Sequence, residues 1–305
     1  MCGSLLPRWY AISLMVFLLF SIGCKKEESN GVSTWKGSGI VVYTDYEPFA
    51  TKAMRVFYYV PESVHGEMPI VFVLHGAERN AMEYRNALVN KAEQKGFILV
   101  VPEFSEVNFP DVNGYQIGNI YQNGDAPSAA TLNAEEQWAL SVIEPLFSYV
   151  KVQTKSNRST YDMIGHSGGA QFVHRFLLLK SQARVNKIVV SAAGWYTATE
   201  NEVNFPYGLK NSLLESTNIN SVFAKKVFVQ VGTSDNSATT TSIRRDSLAN
   251  RQGAHRLARA QYFFQKASSS ASQATVPFLW ELKLISGLGH DFEDALPHSA
   301  DLLFP

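Results

Sequence analysis

The chain has 305 residues, equal numbers of acidic and basic side chains, and 46% apolar residues. A balance this neutral, with no long run of like charge, excludes an electrostatic grip on nucleic acid, and the length suits one large α/β domain. The two cysteines, Cys2 and Cys24, both lie near the start, so the rest of the chain holds neither a disulfide framework nor a thiolate metal site.

Residues 9–22 are an almost unbroken apolar run after Arg8. The run is short for a membrane span and suits the core of an export signal. It ends Ser21-Ile22-Gly23-Cys24, which resembles a bacterial lipoprotein signal, with Ser21 where the commoner pattern has Leu. That resemblance implies cleavage after Gly23, a lipid on Cys24, and anchorage to the cell envelope, on its surface if the charged Lys25-Lys26-Glu27-Glu28 start is an export cue. The expected organisation is a leader over residues 1–23, a polar tether over 24–37 and a single domain over 38–305.

Beyond the tether, residues 40–44 and 54–60 alternate apolar with polar and read as a hairpin of edge strands. Residues 69–74 are continuously apolar, as a parallel strand buried on both faces must be, and they end in His75-Gly76-Ala77-Glu78-Arg79-Asn80. Asn80 is placed to cap a helix running to about Lys95, with Gly96 as its stop. A second buried strand covers residues 97–101. From 103 to 131 the periodicity fails, and Phe and Tyr alternate with Asn among Gly and Pro; a loop this long is usually functional or disordered. Asn133 is read as the cap of a helix over 134–152, kinked at Pro145. A strand at 160–164 follows, then Gly165-His166-Ser167-Gly168-Gly169 and a helix with apolar spacing from Gln171. Residues 185–192 form the next strand, and a second irregular insert begins near Trp195. Further strands are expected at 226–231 and 277–285, with helices over 241–266 and 292–304. Strands alternating with helices predict a mostly parallel sheet, helices on both faces, and two irregular inserts over one edge.

Acyl transfer needs a nucleophile, a base, a group to orient the base, and donors for the oxyanion. Each has a candidate at a strand end on the same sheet edge, where open α/β sheets bind their ligands. Ser167, on a strand-to-helix turn, is the nucleophile. His290 follows the last strand in a loop with Gly287 and Gly289 and is the base. Its rivals are His75, expected to brace its loop, His166, expected to point away, His174 in the following helix, and His65, His255 and His298. Asp235, in Gly-Thr-Ser-Asp after a strand, is the orienter, with Asp291 and Asp246 as lesser rivals. The backbone N–H groups of Ala77 and Gly168 are the oxyanion donors. Rings among Asn and Gln in the inserts suit sugar or aryl groups, which makes Tyr115, Tyr121, Trp195 and Tyr207 candidate substrate contacts.

His-Gly-Ala-Glu-Arg-Asn, Gly-His-Ser-Gly-Gly-Ala, Gly-x-x-Asp and Gly-x-Gly-His occur in this order. From residue 40 onward the chain resembles the α/β-hydrolase superfamily, and within it the bacterial polyhydroxybutyrate-depolymerase and feruloyl or acetylxylan esterase group. The resemblance implies an α/β-hydrolase fold, a serine esterase working through an acyl-enzyme, an ester of carbohydrate or polyester as substrate, and neither metal nor organic cofactor. A serine peptidase of the same fold and a catalytically silent binding protein remain as alternatives.

Overall fold

The computed structural model describes residues 1, 3 and 35–305. The rest of the leader, Cys24 and most of the tether lie outside the described residues. Eight strands form one sheet in the order β1-β2-β4-β3-β5-β6-β7-β8. Strands β1 (Gly37–Tyr43) and β2 (Met54–Val60) are the expected antiparallel hairpin, and β2 also runs antiparallel to β4 (Ile98–Pro102). The others, β3 (Ile70–Leu74), β5 (Tyr161–His166), β6 (Val185–Ser191), β7 (Lys226–Gly232) and β8 (Trp280–Ile285), are parallel to their neighbours.

Parallel strands need crossover helices, and these cover both faces. The residues of β3 alternate between two cores. Val71 and Val73 pack with Tyr84, Leu88 and Ala92 of α1 (Ala81–Lys95) and with Leu296, Ala300 and Leu303 of α8 (Phe292–Leu303). Ile70, Phe72 and Leu74 join a larger core beneath α3 (Ile143–Thr154), α4 (Gly168–Leu179) and α7 (Arg256–Gln273). The apolar runs at 70–74 and 98–101 are thus buried on both sides, which is why they show no alternation in sequence.

The first insert holds one short α-helix, α2 (Asp111–Gly114); the short α5 (Asn220–Phe223) precedes β7 and the short α6 (Ser247–Arg251) follows it. Two expected helices are built differently. Residues 135–137 and 139–142 are separate 3-10 turns, and α3 starts only at Ile143, which puts Pro145 in its first turn, where proline is tolerated, rather than at a kink. Asn133 does not cap it; its amide donates to the Asn119 carbonyl at 2.9 Å. The helix expected over 241–266 begins as a loop. Asp246 caps α6 by accepting from Leu248 and Ala249, and His255 caps α7 by accepting from Ala258. Each cap satisfies an orphan donor of a new helix start, and together they divide the stretch.

Candidate active site

Ser167 sits between β5 and α4 with φ +54° and ψ −113°, a left-handed conformation that costs a non-glycine residue energy and persists only where its surroundings enforce it. Here they do. A Cβ on Gly169 would lie 1.9 Å from the Leu74 carbonyl oxygen, and one on Gly165 would lie 2.3 Å from that of Gly169. The turn is therefore packed directly on the end of β3.

The loops after β7 and β8 are stapled to each other. Thr233 N–H donates to Ile285 O at 2.9 Å and Ser234 N–H to Leu288 O at 3.0 Å. Gly232 comes so close to the second loop that a Cβ would meet Leu288 O at 2.0 Å. This approach carries His290 to Asp235 and Ser167. His290 Nδ1 lies 2.8 Å from Asp235 Oδ2, and His290 Nε2 lies 3.1 Å from Ser167 Oγ. A carboxylate only accepts, so Nδ1 carries the proton and Nε2 is left to accept from the serine hydroxyl. The side chains of Asp235 and His290 are 7% and 30% exposed, which keeps the acid dry and leaves the imidazole open to a substrate.

Ala77 and Gly168 also meet. The Ala77 nitrogen lies 3.0 Å from where a Gly168 Cβ would stand. Gly168 is the first residue of α4, so its N–H has no partner within the helix and carries the positive end of the helix dipole. The two nitrogens are thus neighbours at the turn that carries Ser167.

Four of the rival histidines, His75, His166, His174 and the α7 cap His255, are engaged elsewhere. His75 accepts from Phe104 N–H at 3.0 Å through Nε2, and its Nδ1 lies 2.9 Å from Gly76 O; burial pushes it down to about 3. It braces its loop, with the Tyr115 hydroxyl donating to its carbonyl. His174 accepts from Thr197 N–H, its other ring nitrogen faces Ala170 O, and burial holds it well below the usual range. His166 faces the Tyr84 hydroxyl at 3.1 Å, and burial with the nearby His290 lowers it as well. Asp291 caps α8 by accepting from Glu293 N–H, and Asp246 caps α6.

The four aromatic candidates do not present open surfaces. Tyr115, Tyr121, Trp195 and Tyr207 are buried. Tyr115 stacks on Phe104 and lies under Arg79, whose guanidinium donates to the Phe104 and Phe109 carbonyls. The Tyr121 hydroxyl accepts from Leu213 N–H, and that of Tyr207 donates to Asp246. These rings pack the inserts onto the domain, because an insert without regular helices has few other ways to bury apolar area.

Pattern alone does not reveal the arginines of the site. Arg256 Nη1 lies 3.5 Å from Asp235 Oδ1, with both side chains buried; burial lowers the guanidinium and Asp235 opposes the shift. Arg175, fully buried in α4, packs over Trp195 at 4.2 Å, and Arg244 packs over the same ring at 4.6 Å. The sequence signal was the density of arginine at 244, 245, 251, 256 and 259. Among the described residues, no group of His, Cys, Asp and Glu is gathered as a metal ion would need.

A mostly parallel sheet with helices on both faces, and a strained serine between strand and helix, define an α/β hydrolase. No family model matches the chain, and no curated protein does. Solved structures do. Poly(aspartic acid) hydrolase-1 from Sphingomonas sp. KT-1 is 32% identical, with a TM-score of 0.82, over 88% of this chain and 99% of that one. A poly(3-hydroxybutyrate) depolymerase from Bordetella parapertussis is 28% identical, with a TM-score of 0.79, over 88% and 90%. A ferulic acid esterase at 15% identity and a TM-score of 0.52 shares the fold over 88% of this chain and 99% of its own. The chain belongs to the α/β-hydrolase family and is a hydrolase.

Proposed function

We propose that the protein is a serine hydrolase that cleaves carboxylic esters through an acyl-enzyme, with Ser167 as nucleophile, His290 as general base and acid, and Asp235 as its orienter. The single observation that carries this reading is the continuous hydrogen-bonded line from Ser167 Oγ through His290 to Asp235. Ser167 Oγ attacks the ester carbonyl as His290 Nε2 takes its proton. The Ala77 and Gly168 N–H groups hold the oxyanion, and Asp235 stabilises the imidazolium. His290 returns the proton to the departing alkoxide, leaving the acyl group on Ser167. Water, deprotonated by the same imidazole, then releases the acid and restores the hydroxyl.

The substrate in this reading is a linear acyl polymer or an acylated polysaccharide. Its support is that two similar solved structures, at 32% and 28% identity, are a poly(aspartic acid) hydrolase and a poly(3-hydroxybutyrate) depolymerase, both named for polymers. One of these polymers, poly(aspartic acid), is an amide, so cleavage of amides is the second reading; an ester-versus-amide panel on one acyl group separates the two. Ser167→Ala should abolish hydrolysis of an aryl acetate while the circular dichroism stays unchanged. Hydrolysis at the parent rate would reject the assignment.

The proposal extends to location. The leader over residues 1–23 is cleaved, Cys24 is acylated, residues 24–37 tether the catalytic domain over 38–305, and the enzyme faces outward from the cell envelope. Mass spectrometry of the mature protein is the check: an unmodified first residue, or one other than Cys24, sinks this part.

A further inference from the structure

Arg175 is the least satisfied charge of the described core. It is fully buried, its Nη1 donates only to the carbonyls of Gln116 and Gln171 at 2.9 Å, and its Nε and Nη2 have no hydrogen-bond partner. The side-chain carbonyl oxygens of Gln116 and Gln171 are also unpartnered. Burying a guanidinium without a carboxylate is expensive, and Arg244 close by makes it more so; Asp125 is the carboxylate that offsets it through space. Arg244 holds Asp125 in a two-pronged pair, at 2.5 Å to Oδ1 and 3.1 Å to Oδ2, and also donates to the Tyr207 hydroxyl at 3.2 Å. That pair is open to solvent on the acid's side, with Asp125 55% exposed against 24% for Arg244. Solvent on the acid's side weakens such a pair.

The cluster is linked to the nucleophile's turn through the first turns of α4, where Gln171 N–H donates to Ser167 O at 3.2 Å. Arg175 is eight residues past Ser167 on α4, about 12 Å by helical rise, and its guanidinium reaches back to the Gln171 carbonyl, about 6 Å along the axis from the serine. Gly194, next to Trp195, abuts both Gln171 and Ile243, the residue before Arg244. Two guanidiniums over one indole ring, with a single carboxylate paired to one of them, form a cationic cluster in a chain of zero net charge.

We propose that Arg244, with Arg175 behind it at Trp195, is a carboxylate-binding subsite for the substrate's acyl chain, and that Asp125 occupies it until an acidic group of the substrate displaces it. The planar, two-pronged geometry of the Arg244–Asp125 pair fits a carboxylate. The site thereby favours an acyl group that bears a second, ionised carboxyl several bonds from the scissile carbonyl. This inference rests on the hydrolase reading for its link to catalysis, and the test separates the two.

Binding is measured by calorimetry at low salt on the Ser167→Ala protein, with glutarate, adipate and suberate against their neutral diamides. At least one diacid should bind tenfold or more tightly than its diamide. Adding Arg244→Gln should remove that margin, since a hydrogen bond to a charged group is worth about a tenfold change or more. Adding Asp125→Asn should widen it, because the internal competitor is gone. Equal binding of diacid and diamide, no loss in Arg244→Gln, or weaker binding in Asp125→Asn would each overturn the proposal. In the parent enzyme, the ratio of kcat/KM for p-nitrophenyl hydrogen adipate over p-nitrophenyl hexanoate should fall with Arg244→Gln and with added salt; an unchanged ratio also overturns it. If the parent hydrolyses neither ester, the hydrolase reading fails while the titrations still judge the subsite.

Discussion

Asp235→Asn tests the site where its geometry is most constrained. The two carboxylate oxygens face different partners: Oδ2 receives His290 Nδ1 at 2.8 Å, and Oδ1 faces Arg256 Nη1 at 3.5 Å. An asparagine must give one of these places to an NH2 group. Turned toward Arg256, the amide would set donor against buried cation. Turned the other way, its oxygen satisfies Arg256 and its NH2 points at Nδ1. The second arrangement is the cheaper, and it forces the imidazole proton onto Nε2, where it blocks transfer from Ser167. The wrong tautomer in a Ser-His-Asp site costs about 10⁴ in rate, or about 5 kcal/mol. The assay is p-nitrophenyl acetate hydrolysis at neutral pH, with a fluorophosphonate label as a second readout. The double variant Asp235→Asn/Arg256→Met frees the amide to turn and should lose less than the single one. Activity within tenfold of the parent in Asp235→Asn would refute the triad reading, and a double variant as inactive as the single would refute the account of its orientation.

Further outcomes follow from the same contacts. Gly169→Ala places a methyl 1.9 Å from Leu74 O, so it should lower stability by about 3 kcal/mol or more, read by urea unfolding, because overpacking against backbone has no cheap relaxation; a loss below about 1 kcal/mol would show that the turn is looser than described. His75, His166 and His174 are buried, and all three are shifted down, His75 to about 3. Above the unfolded histidine value near 6.5 both states are neutral and stability is flat. Below it only the unfolded state takes up protons, so stability falls as pH drops, by up to about 4 kcal/mol per unit for three groups. Unfolding curves at pH 7, 6 and 5 would show this, and a flat profile would contradict the neutral buried tautomers. Tyr115→Phe removes the hydrogen bond to His75 O and should cost about 1 kcal/mol while lowering kcat/KM through the adjoining Ala77 loop; an unchanged thermal midpoint would show that the brace is idle.

The sheet was legible because a parallel strand buried on both faces has nothing to alternate with, so residues 70–74 and 98–101 announce themselves as apolar runs. Ser167, Asp235 and His290 were legible from chain order and strand-end position, and the structure brings them within hydrogen-bond reach. Helix starts and long-range pairings were not legible. A single helix is expected over 241–266, but Asp246 and His255 each start a helix of their own. The aromatic residues of the inserts were read as a surface, yet long-range pairs such as Tyr121 with Leu213 hide them. Arg256 could not be paired with Asp235 from sequence, since nothing local joins a loop after β7 to the start of α7 twenty residues on.

The two inserts are clasped to each other as well as to the sheet. Tyr121 packs edge-on against Phe205 and accepts from Leu213 N–H, while Arg244 ties Asp125 to Tyr207. A chimaera that imports one insert from a relative would leave half of this clasp without its counterpart. Retargeting by loop transplantation should therefore succeed only when both segments travel together, with Arg244 matched to them.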